Sequence, residues 1–341
     1  MMTALKDLCK EFLVPQRDKP KEFGGSIPWC RIEDIEGKYL NGTKSGQYVT
    51  EETVKKMNLK IIPEGSVICS CSASLGVQAI LTTPCVTNQT FIGIVPKDEL
   101  SAEFLYYYLK SRSAYFNKIG TGTTIPYISR KKFEELSIPE IPLEEQANIV
   151  EILEKVERTI EHRKHEIEYL DTLIKARFVE MFGDPITNTK QLETRDLKDV
   201  LVLKAGDFTA ASDILDEPTE THKYPCYGGN GIRGYVEEYN QEGEYSLVGR
   251  QGALSGNVQF ARGQFKNTEH ALLVTPIVEM NSIWLNQLLL NLDLKRYQTG
   301  AAQPGLSVKN LQEIQIIMVS IEEQNSFAEF VKQVDKSKVV A

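Results

Sequence analysis

One stretch of this sequence occurs twice at a constant offset. Residues 122–146 align without gaps with residues 300–324, 178 positions later, and the match continues for ten further residues with 11 identities in 35 positions. Further upstream the offset is 180, where Ser72–Gly76 matches Gly252–Gly256. Self-similarity over such lengths is the signature of a duplicated structural unit. The sequence therefore predicts a domain and a helix, followed by a second domain and a second helix.

Between the two copies, the sequence has the pattern of one long amphipathic helix from Glu144 to about Phe182. Apolar residues recur at steps of mostly three or four, and no Pro or Gly interrupts them, as expected for a helix that packs along one face. Gly183 and Pro185 then provide helix-stop residues. The predicted partner or coiled-coil seam consists of Ile149, Ile152, Val156, Ile160, Ile167, Leu170, Ile174 and Phe178, with Phe327, Phe330, Val331 and Val334 in the second copy.

The segments on either side of this helix are of similar size and mixed composition. Each alternates short β-rich runs with helical runs such as Ala102–Ser111 and Ser282–Leu292. The chain has 341 residues, 41% hydrophobic and 25% charged, which is ordinary for a globular protein of two domains. We predict an α/β (α+β) fold class, with domain boundaries at 1–143, 144–184, 185–320 and 321–341.

The cysteines and the termini of the chain bear on its location. Six cysteines without a Cys-x-x-Cys pair favour a reducing compartment and argue against structural zinc. The first twenty residues are charged throughout and lack the apolar core of a secretion signal. The uncharged stretch 66–96 holds too many Ser, Thr, Asn and Gln residues for a bilayer helix. We therefore predict a cytoplasmic protein without membrane contact.

Charge is distributed unevenly along the chain. The net charge of −8 argues mildly against nucleic-acid binding. However, the long helix carries ten acidic and six basic residues. Its net charge of −4 is half of the net charge of the chain. Between Lys110 and Lys132 there are six basic residues and no acidic residue. In the second copy, residues 245–268 and 294–312 also lack acidic residues.

Basic residues interleaved with Gly, Thr, Gln and aromatic residues suit phosphate contact and base-edge reading. An ordinary solvated face explains each patch alone equally well, but recurrence in both copies favours DNA. In the first copy, the predicted DNA-binding residues are Lys110, Arg112, Lys118, Thr121, Thr123, Thr124, Tyr127, Arg130, Lys131 and Lys132. In the second copy they are Arg233, Arg250, Gln251, Arg262, Lys266, Lys295, Arg296, Gln303 and Lys309.

Signals of catalysis are weak. Gly229–Gly234 fits Gly-x-Gly-x-x-Gly, but it follows a turn-rich segment and precedes a strand-like run, which is the wrong context for a dinucleotide site. His162 and His165 lie three residues apart on the long helix, a spacing that an exposed helix face also produces. No His-Glu-x-x-His or Gly-x-Ser-x-Gly motif is present. We predict no catalytic site and no metal site.

Several segments together resemble the specificity subunit of type I restriction–modification enzymes, over nearly the whole chain. The step from a Glu-Glu-Gln segment into a helix, occurring twice at this spacing, is the most specific of these signals. The matching segments are Ser26–Trp29 with Asp34 and Ile35, Ile141–Gln146, Tyr224–Ile232 and Ile321–Gln324.

The resemblance implies two tandem target-recognition domains separated by long conserved helices that form an antiparallel coiled coil. Each domain would read one half of a bipartite site in double-stranded DNA. The helices would fix the spacer and dock two methyltransferase subunits. The chain would be non-catalytic and carry no cofactor. The complex would use S-adenosylmethionine to methylate adenine at N6, and ATP and Mg²⁺ where restriction subunits join.

The second helix departs from this pattern, because the chain stops at Ala341, twenty residues after the helix begins near Glu322. We therefore expect the distal part of the first helix, Ile167 to Phe182, to lack an intramolecular partner. Four alternatives stay open: a truncated or phase-variable silent variant that no longer assembles, a duplication with one working copy, a self-contained nucleic-acid-modifying enzyme, and a coiled-coil scaffold without a DNA role.

Overall fold

The computed structural model describes residues 1–15, 19–121, 125–300 and 305–340. The chain forms two compact units, Met1–Ile160 and Glu161–Ala341. Strands and helices are mixed in both units, so the predicted fold class is confirmed. The division falls within one long helix, which begins at Leu143 and ends at Phe182.

The first unit contains three sheets and the first half of the long helix. The strands are β1 (Met2–Ala4), β2 (Cys9–Leu13), β3 (Ile27–Cys30), β4 (Tyr39–Leu40), β5 (Tyr48–Val49), β6 (Val67–Ser70), β7 (Gln78–Leu81), β8 (Val86–Thr87), β9 (Phe91–Pro96) and β10 (Ser137–Pro139). The helices are α1 (Glu51–Lys56), α2 (Ala102–Ser111), α3 (Ser113–Ile119), α4 (Arg130–Glu134) and α5 (Leu143–Phe182), with short 3₁₀ turns at Leu5–Leu8 and Ile32–Asp34.

The central sheet of the first unit has the strand order β2-β9-β6-β7-β4. Its middle strands are buried along their length, as their Val, Ile and Leu residues predict. Helix α2 begins where Ser101 accepts a hydrogen bond from the Phe104 backbone N–H, an N-cap that explains the start of this helix at the predicted residue. Two smaller sheets, β5-β3-β8 and β1-β10, complete the unit.

The second unit contains two sheets. The strands are β11 (Thr194–Asp196), β12 (Leu201–Ala205), β13 (Tyr224–Gly228), β14 (Gly231–Val236), β15 (Gln241–Gly249), β16 (Val258–Asn267), β17 (Ala271–Pro276) and β18 (Gln315–Ile317). The helices are α6 (Leu197–Val200), α7 (Ser282–Asn291), α8 (Val308–Gln312) and α9 (Ile321–Val340), with 3₁₀ turns at Ala211–Asp213 and Leu294–Tyr297.

The duplication is visible in the strand order. The large sheet of the second unit runs β12-β17-β15-β16-β13-β14, and its first five strands follow the order of the first unit's central sheet. The fourth and fifth strands pair in parallel in both units, and the small pairs β1-β10 and β11-β18 are both antiparallel. Strand β14 forms a hairpin with β13. Gly229–Gly234 therefore lies in a strand–turn–strand context and not in a dinucleotide-binding turn.

The expectation that the distal part of α5 lacks an intramolecular partner is wrong for its last three turns. Ile174, Phe178 and Phe182 are buried in the core of the second unit. Helix α9 runs antiparallel to this part of α5, with Lys338 Nζ 2.7 Å from Asp171 Oδ1 at its far end. Helix α9 has 20 residues and is therefore about 30 Å long. This length is sufficient to cover the last three turns of α5.

Candidate nucleic-acid interface

A buried glutamine joins the start of α5 to the first unit. Gln146 is 2% exposed. Its Oε1 accepts a hydrogen bond from the Ser101 backbone N–H at 2.9 Å, and its Nε2 donates to the carbonyl oxygens of Glu99 at 2.8 Å and Ile141 at 2.9 Å. Because these polar atoms are paired, the amide is buried without an unsatisfied group. One side chain thus connects the first turn of α5 to the residue that caps α2.

The second unit repeats this arrangement. Gln324, which is 1% exposed, accepts a hydrogen bond from the Asn281 backbone N–H at 2.9 Å and donates to the Val319 carbonyl at 3.0 Å. Asn281 caps α7 as Ser101 caps α2. We call Gln146 and Gln324 the helix clamps. The recurring Glu-Glu-Gln segment was recognised in the sequence, but the role of its glutamine was not.

The first half of α5 then lies against the first unit. Ile149, Val150 and Leu153 pack on the apolar core of that unit. The predicted seam is therefore divided, because Ile149 faces the domain. The other seam residues of this half are exposed, with Ile152 at 60%, Val156 at 48% and Ile160 at 50%. We call Ile152, Val156 and Ile160 the open face of α5.

Charged side chains complete the contact between α5 and the first unit. Lys38 Nζ lies 2.6 Å from Glu154 Oε1, and the Tyr107 hydroxyl donates to Glu157 Oε2 at 2.7 Å. Lys110 Nζ also donates to Glu157. Burial alone would raise the pKa of Glu157, but the hydrogen bonds from Lys110 and Tyr107 outweigh burial and hold that pKa below its ordinary value. Lys110, predicted as a DNA contact, is thus part of the helix attachment.

The second half of α5 is held by aromatic residues. The ring centroid of Phe178 lies 5.1 Å from that of Phe182 and 5.4 Å from that of Phe327, and the ring of Phe182 also meets Trp284 edge to face. The predicted seam residues Val331 and Val334 are buried here, and Leu170 and Phe330 pack at the margin of the cluster. Ile167, one turn before Leu170, is 37% exposed.

Acidic residues lie close to much of the first basic patch. Arg130 Nε lies 2.6 Å from Glu134 Oε1, and Lys131 Nζ lies 3.7 Å from Glu135 Oε1. Lys132 Nζ donates to the last carbonyl of α3 at 2.7 Å. Residues 110–132 contain no acidic residue, but in the folded chain carboxylates from outside this segment lie beside its basic side chains. These residues stay predicted DNA contacts, with a weaker positive field than the sequence indicates.

The remaining basic residues of this patch lie around α3. The Arg112 guanidinium stacks 5.2 Å from the centroid of the Tyr108 ring. Arg112 also lines a cleft of about 400 Å³ with Tyr115 and Lys132. Lys118 is exposed on α3. The lining of this cleft combines two aromatic rings with two basic groups and the carboxylate of Glu135, a surface on which a base could stack.

In each unit, the loop after the third strand of the central sheet meets a segment near the end of the domain. Junction 1 consists of residues 71–77, 119–121 and 125–128, and junction 2 consists of residues 250–257, 298–300 and 305–306. Both junctions contain predicted DNA-binding residues. Three further predicted residues lie outside the described residues: Thr123, Thr124 and Gln303.

The backbone holds junction 1 together. The Ile128 N–H donates to the Cys71 carbonyl at 2.8 Å, and the Cys71 N–H donates to the Thr90 carbonyl at 2.7 Å. Thr121 and Tyr127 exchange backbone hydrogen bonds at 3.0 and 2.9 Å. The predicted contacts Thr121 and Tyr127 are therefore paired with each other through their backbones, and both are exposed.

Junction 2 has the same backbone connections. The Leu306 N–H donates to the Arg250 carbonyl at 2.9 Å, and the Arg250 N–H donates to the His270 carbonyl at 3.1 Å. Gln251 forms a bridge to Gly305, as Ser72 does to Tyr127 in junction 1. Matching hydrogen bonds thus align Arg250 with Cys71 and His270 with Thr90. The alignment at Arg250 differs by one residue from the sequence match of Ser72–Gly76 with Gly252–Gly256. His270 was not predicted as a site residue.

The side chains of junction 2 surround a cleft of about 510 Å³ that is lined by Arg250, Gln251, Thr299 and Ser307 among others. Gln251 Oε1 lies 3.1 Å from His270 Nδ1. A cationic group, an amide and two hydroxyls therefore converge on one exposed depression. Such a set can contact phosphate and base edges together.

A glycine allows a further basic segment to approach junction 2. A Cβ atom on Gly256 would come within 2.7 Å of the Lys295 backbone nitrogen, and Gly256 has a φ of +83°. Only glycine combines this φ with this close approach. The exposed residues Lys295 and Arg296 are thereby placed beside junction 2, while Lys309 is exposed on α8.

The other basic residues predicted in the second unit lie on its sheet. Arg262 Nε is 3.5 Å from Glu244 Oε1, and Lys266 Nζ is 3.6 Å from Asp207 Oδ2. Arg233 is exposed on β14. Only part of the predicted set in this unit therefore converges, namely the residues at and beside junction 2.

Within residues 1–15, 19–121, 125–300 and 305–340, no group of three or more His, Cys, Asp or Glu side chains is placed to hold a metal ion. All six cysteines are buried thiols, and burial raises the pKa of Cys71 to about 11. None of the helices in this described part combines the length and apolar character that a bilayer span needs.

Comparison with known proteins identifies the class to which this fold and these junctions belong. Residues 1–171 and 189–339 match the family described as type I restriction modification DNA specificity domain. These two matches cover most of the chain, so the chain belongs to this family. It is a DNA specificity subunit of a type I restriction–modification system, with two target-recognition domains.

Individual relatives agree with this assignment. The type I restriction enzyme EcoprrI specificity subunit of Escherichia coli is 34% identical over 340 residues, covering 94% of this chain and 83% of the relative. The MjaIX specificity subunit of Methanocaldococcus jannaschii is 32% identical over 203 residues, covering 58% of this chain and 47% of the relative. The crystal structure of a type I S subunit from M. genitalium shares the fold, with a TM-score of 0.56, 19% identity, and coverage of 99% of this chain and 90% of that one.

Proposed function

We propose that each target-recognition domain reads one half of a two-part site in double-stranded DNA through its loop junction. The observation that supports this proposal most strongly is the repetition of one backbone framework with different side chains. Junctions 1 and 2 share their hydrogen bonds, yet Cys71 corresponds to Arg250 and Ser72 to Gln251. Equal frameworks with unequal side chains suit two half-sites of different sequence.

Helix α5 serves in this proposal as the spacer and as the docking surface for two methyltransferase subunits. The open face places Ile152, Val156 and Ile160 four residues apart on one side of the helix, all about half exposed or more. A row of this spacing is the pattern that a partner helix or groove recognises. The opposite side of the same turns is occupied by the first unit.

The chain itself supplies recognition and no chemistry in this proposal. The methyltransferase subunits bind S-adenosylmethionine and methylate adenine at N6 after flipping the base from the duplex. Where restriction subunits join, they use ATP and Mg²⁺. The assembly works in the cytoplasm, where its DNA substrate lies.

The test is co-expression with the methyltransferase subunit of its own system, followed by mapping of N6-methyladenine across the host DNA. We expect a two-part motif with a fixed gap. A motif in one uninterrupted block would contradict two-domain reading. A folded chain that neither binds the methyltransferase nor directs methylation would favour the silent variant.

A substitution in the open face separates docking from recognition. Val156→Arg should abolish co-purification with the methyltransferase subunit, because it places a charge in the apolar row, while leaving the unfolding temperature of the chain unchanged. Glu161→Arg is the matched control, since Glu161 is exposed on the same helix and lies about 140° around its axis from Val156. Equal loss of binding in both variants would contradict a docking role for the open face.

A further inference from the structure

Three polar side chains of junction 2 form a connected series that ends at an exposed amide. Glu269 Oε1 lies 3.1 Å from His270 Nε2, and His270 Nδ1 lies 3.1 Å from Gln251 Oε1. The Glu269 side chain is 28% exposed and the His270 side chain 42%, and Gln251 is exposed. The series thus leads from a partly buried carboxylate to the mouth of the 510 Å³ cleft.

A carboxylate oxygen only accepts, so Nε2 of His270 donates to Glu269. The other ring nitrogen, Nδ1, lies 3.1 Å from the Gln251 amide and holds one atom of that amide. Whichever amide atom makes this contact, Gln251 retains an acceptor lone pair on Oε1 and at least one hydrogen on Nε2.

Those remaining groups match one base edge in the major groove. Adenine presents the N6 amino group as a donor beside N7 as an acceptor, and a glutamine amide pairs with both. We infer that Gln251, oriented by His270 and Glu269, reads an adenine in the half-site of the second domain. His270 and Glu269 are positioning residues, because they act through Gln251. This inference rests on the proposed DNA-reading function.

The backbone around Gln251 is held by hydrogen bonds from two other segments of the unit. Arg250 bonds to both the His270 carbonyl and the Leu306 N–H, and Gln251 itself bridges to Gly305. A free glutamine side chain loses rotamer freedom when it binds. The contact with His270 restricts the rotamers of Gln251 before DNA binds. Less entropy is therefore lost when Gln251 contacts a base.

The first domain shows that the fold does not require this series. The position of His270 is occupied by Thr90, whose carbonyl accepts the same backbone hydrogen bond, from Cys71. The positions of Glu269 and Gln251 are occupied by Gln89 and Ser72. The junction is therefore built equally well without an imidazole or a carboxylate. The additional groups of the second domain are free to serve recognition.

The inference is tested with the full chain in complex with the methyltransferase subunit of its system, by selecting binders from a pool of randomised duplex DNA and sequencing them. For Gln251→Ala, we expect one A·T position of the second half-site to lose preference by about tenfold, which corresponds to ~1.4 kcal/mol. The first half-site should be unchanged. His270→Ala should weaken preference at the same position, and His270→Asn, which keeps a hydrogen-bonding amide near the place of Nδ1, should restore it.

Each result has a defined meaning. If the wild-type complex selects no motif, the proposed function is wrong. If the wild type selects a motif and Gln251→Ala selects the same one, the inference is wrong and the proposed function stands. Gln264→Ala is the matched control, because Gln264 lies on β16 and donates to Glu242 at 3.2 Å. Loss of preference at the same A·T position in this control would also overturn the inference, since a general disturbance of the unit would then explain it.

Discussion

The same helix is held by different chemistry in the two units. The first half of α5 packs Ile149, Val150 and Leu153 on its unit and adds the carboxylates of Glu154 and Glu157, which bind two lysines and a tyrosine. The second half inserts Phe178 and Phe182 into an aromatic core. The helix clamps, Gln146 on α5 and Gln324 on α9, occur in both units. A duplicated architecture therefore needs an identical first turn, while the contacts further along the helix can diverge.

The two kinds of contact differ in strength. The paired Lys110 and Glu157 side chains are 47% and 40% exposed, and ion pairs of this exposure contribute about 0–1 kcal/mol. Buried aromatic clusters contribute several times more, because each ring removes a large apolar area from water. We therefore expect α5 to separate more easily from the first unit than from the second.

Phe178→Ala tests the stronger contact and has the largest expected effect. It removes a fully buried ring that touches Phe182 and Phe327, so the second unit should lose about 3–5 kcal/mol of unfolding free energy. Calorimetry should show a lower unfolding temperature for the second unit. Val179→Ala, at a residue that is 41% exposed, should change stability by less than about 0.5 kcal/mol. Similar losses in both variants would contradict an aromatic core at this site.

Substitution of either helix clamp should lower the free energy of unfolding of its own unit by a similar amount. Gln146→Leu leaves the Ser101 backbone N–H without its partner, and Gln324→Leu does the same to Asn281. Each variant should destabilise its own unit by about 1–3 kcal/mol, the cost of a buried unsatisfied group. Chemical denaturation followed in each single variant measures the two losses. A large loss in one unit and none in the other would show that the clamps are not equivalent.

Glu157→Gln tests the weaker contact, and its effect should depend on pH and salt. The pKa of Glu157 is below its ordinary value in the folded chain, so its contribution is present above the unfolded value of about 4.3 and is lost as the pH falls through the folded value. At pH 7 and low salt, we expect a loss of at most about 1 kcal/mol. Unfolding of both proteins from pH 7 to pH 3 should show the difference vanish. Glu161→Gln, at an exposed residue of α5, should produce no such difference at any pH.

The smallest effect is expected from the basic residues of α4. Replacing Arg130, Lys131 and Lys132 by Gln should weaken binding to every DNA sequence. The slope of log affinity against log salt concentration should become shallower by about one to two. The change is smaller than three charges would give, because two of them already face glutamates. Titration of a random duplex at several salt concentrations measures this slope. Lys55→Gln on α1 is the control. An unchanged slope in the triple variant would mean that this patch does not face DNA.

Local signals of helix and repeat were sufficient to predict the long helix, its shorter copy and one helix in each domain. Helix α2 was predicted as Ala102–Ser111 and has these bounds, and α7 ends one residue before the predicted Leu292. Both begin at polar caps followed by apolar runs, which is information carried within one segment. The order of domains and helices followed from the duplication, and the family followed from short segments such as the two Glu-Glu-Gln helix starts.

The faces of α5 could not be predicted, because they depend on residues far away in the sequence. Apolar spacing indicated a single seam, yet Ile149 packs on the domain while Ile152 is exposed. Lys110 looked like part of a basic surface until Glu157, 47 residues later, was found beside it. No periodicity links two such positions. The contact arises only when the domain folds against the helix.

The helix clamps have a consequence for how this chain has evolved since its duplication. Gln146 and Gln324 have kept the same neighbours, whereas Cys71 and Arg250 occupy one position with unrelated side chains. A side chain at the junction can change without disturbing the backbone hydrogen bonds, whereas a change at a clamp would leave a buried N–H without its partner. We therefore expect that one half of the gene can be exchanged for a copy that ends in the same clamp, which would change the specificity in a single recombination.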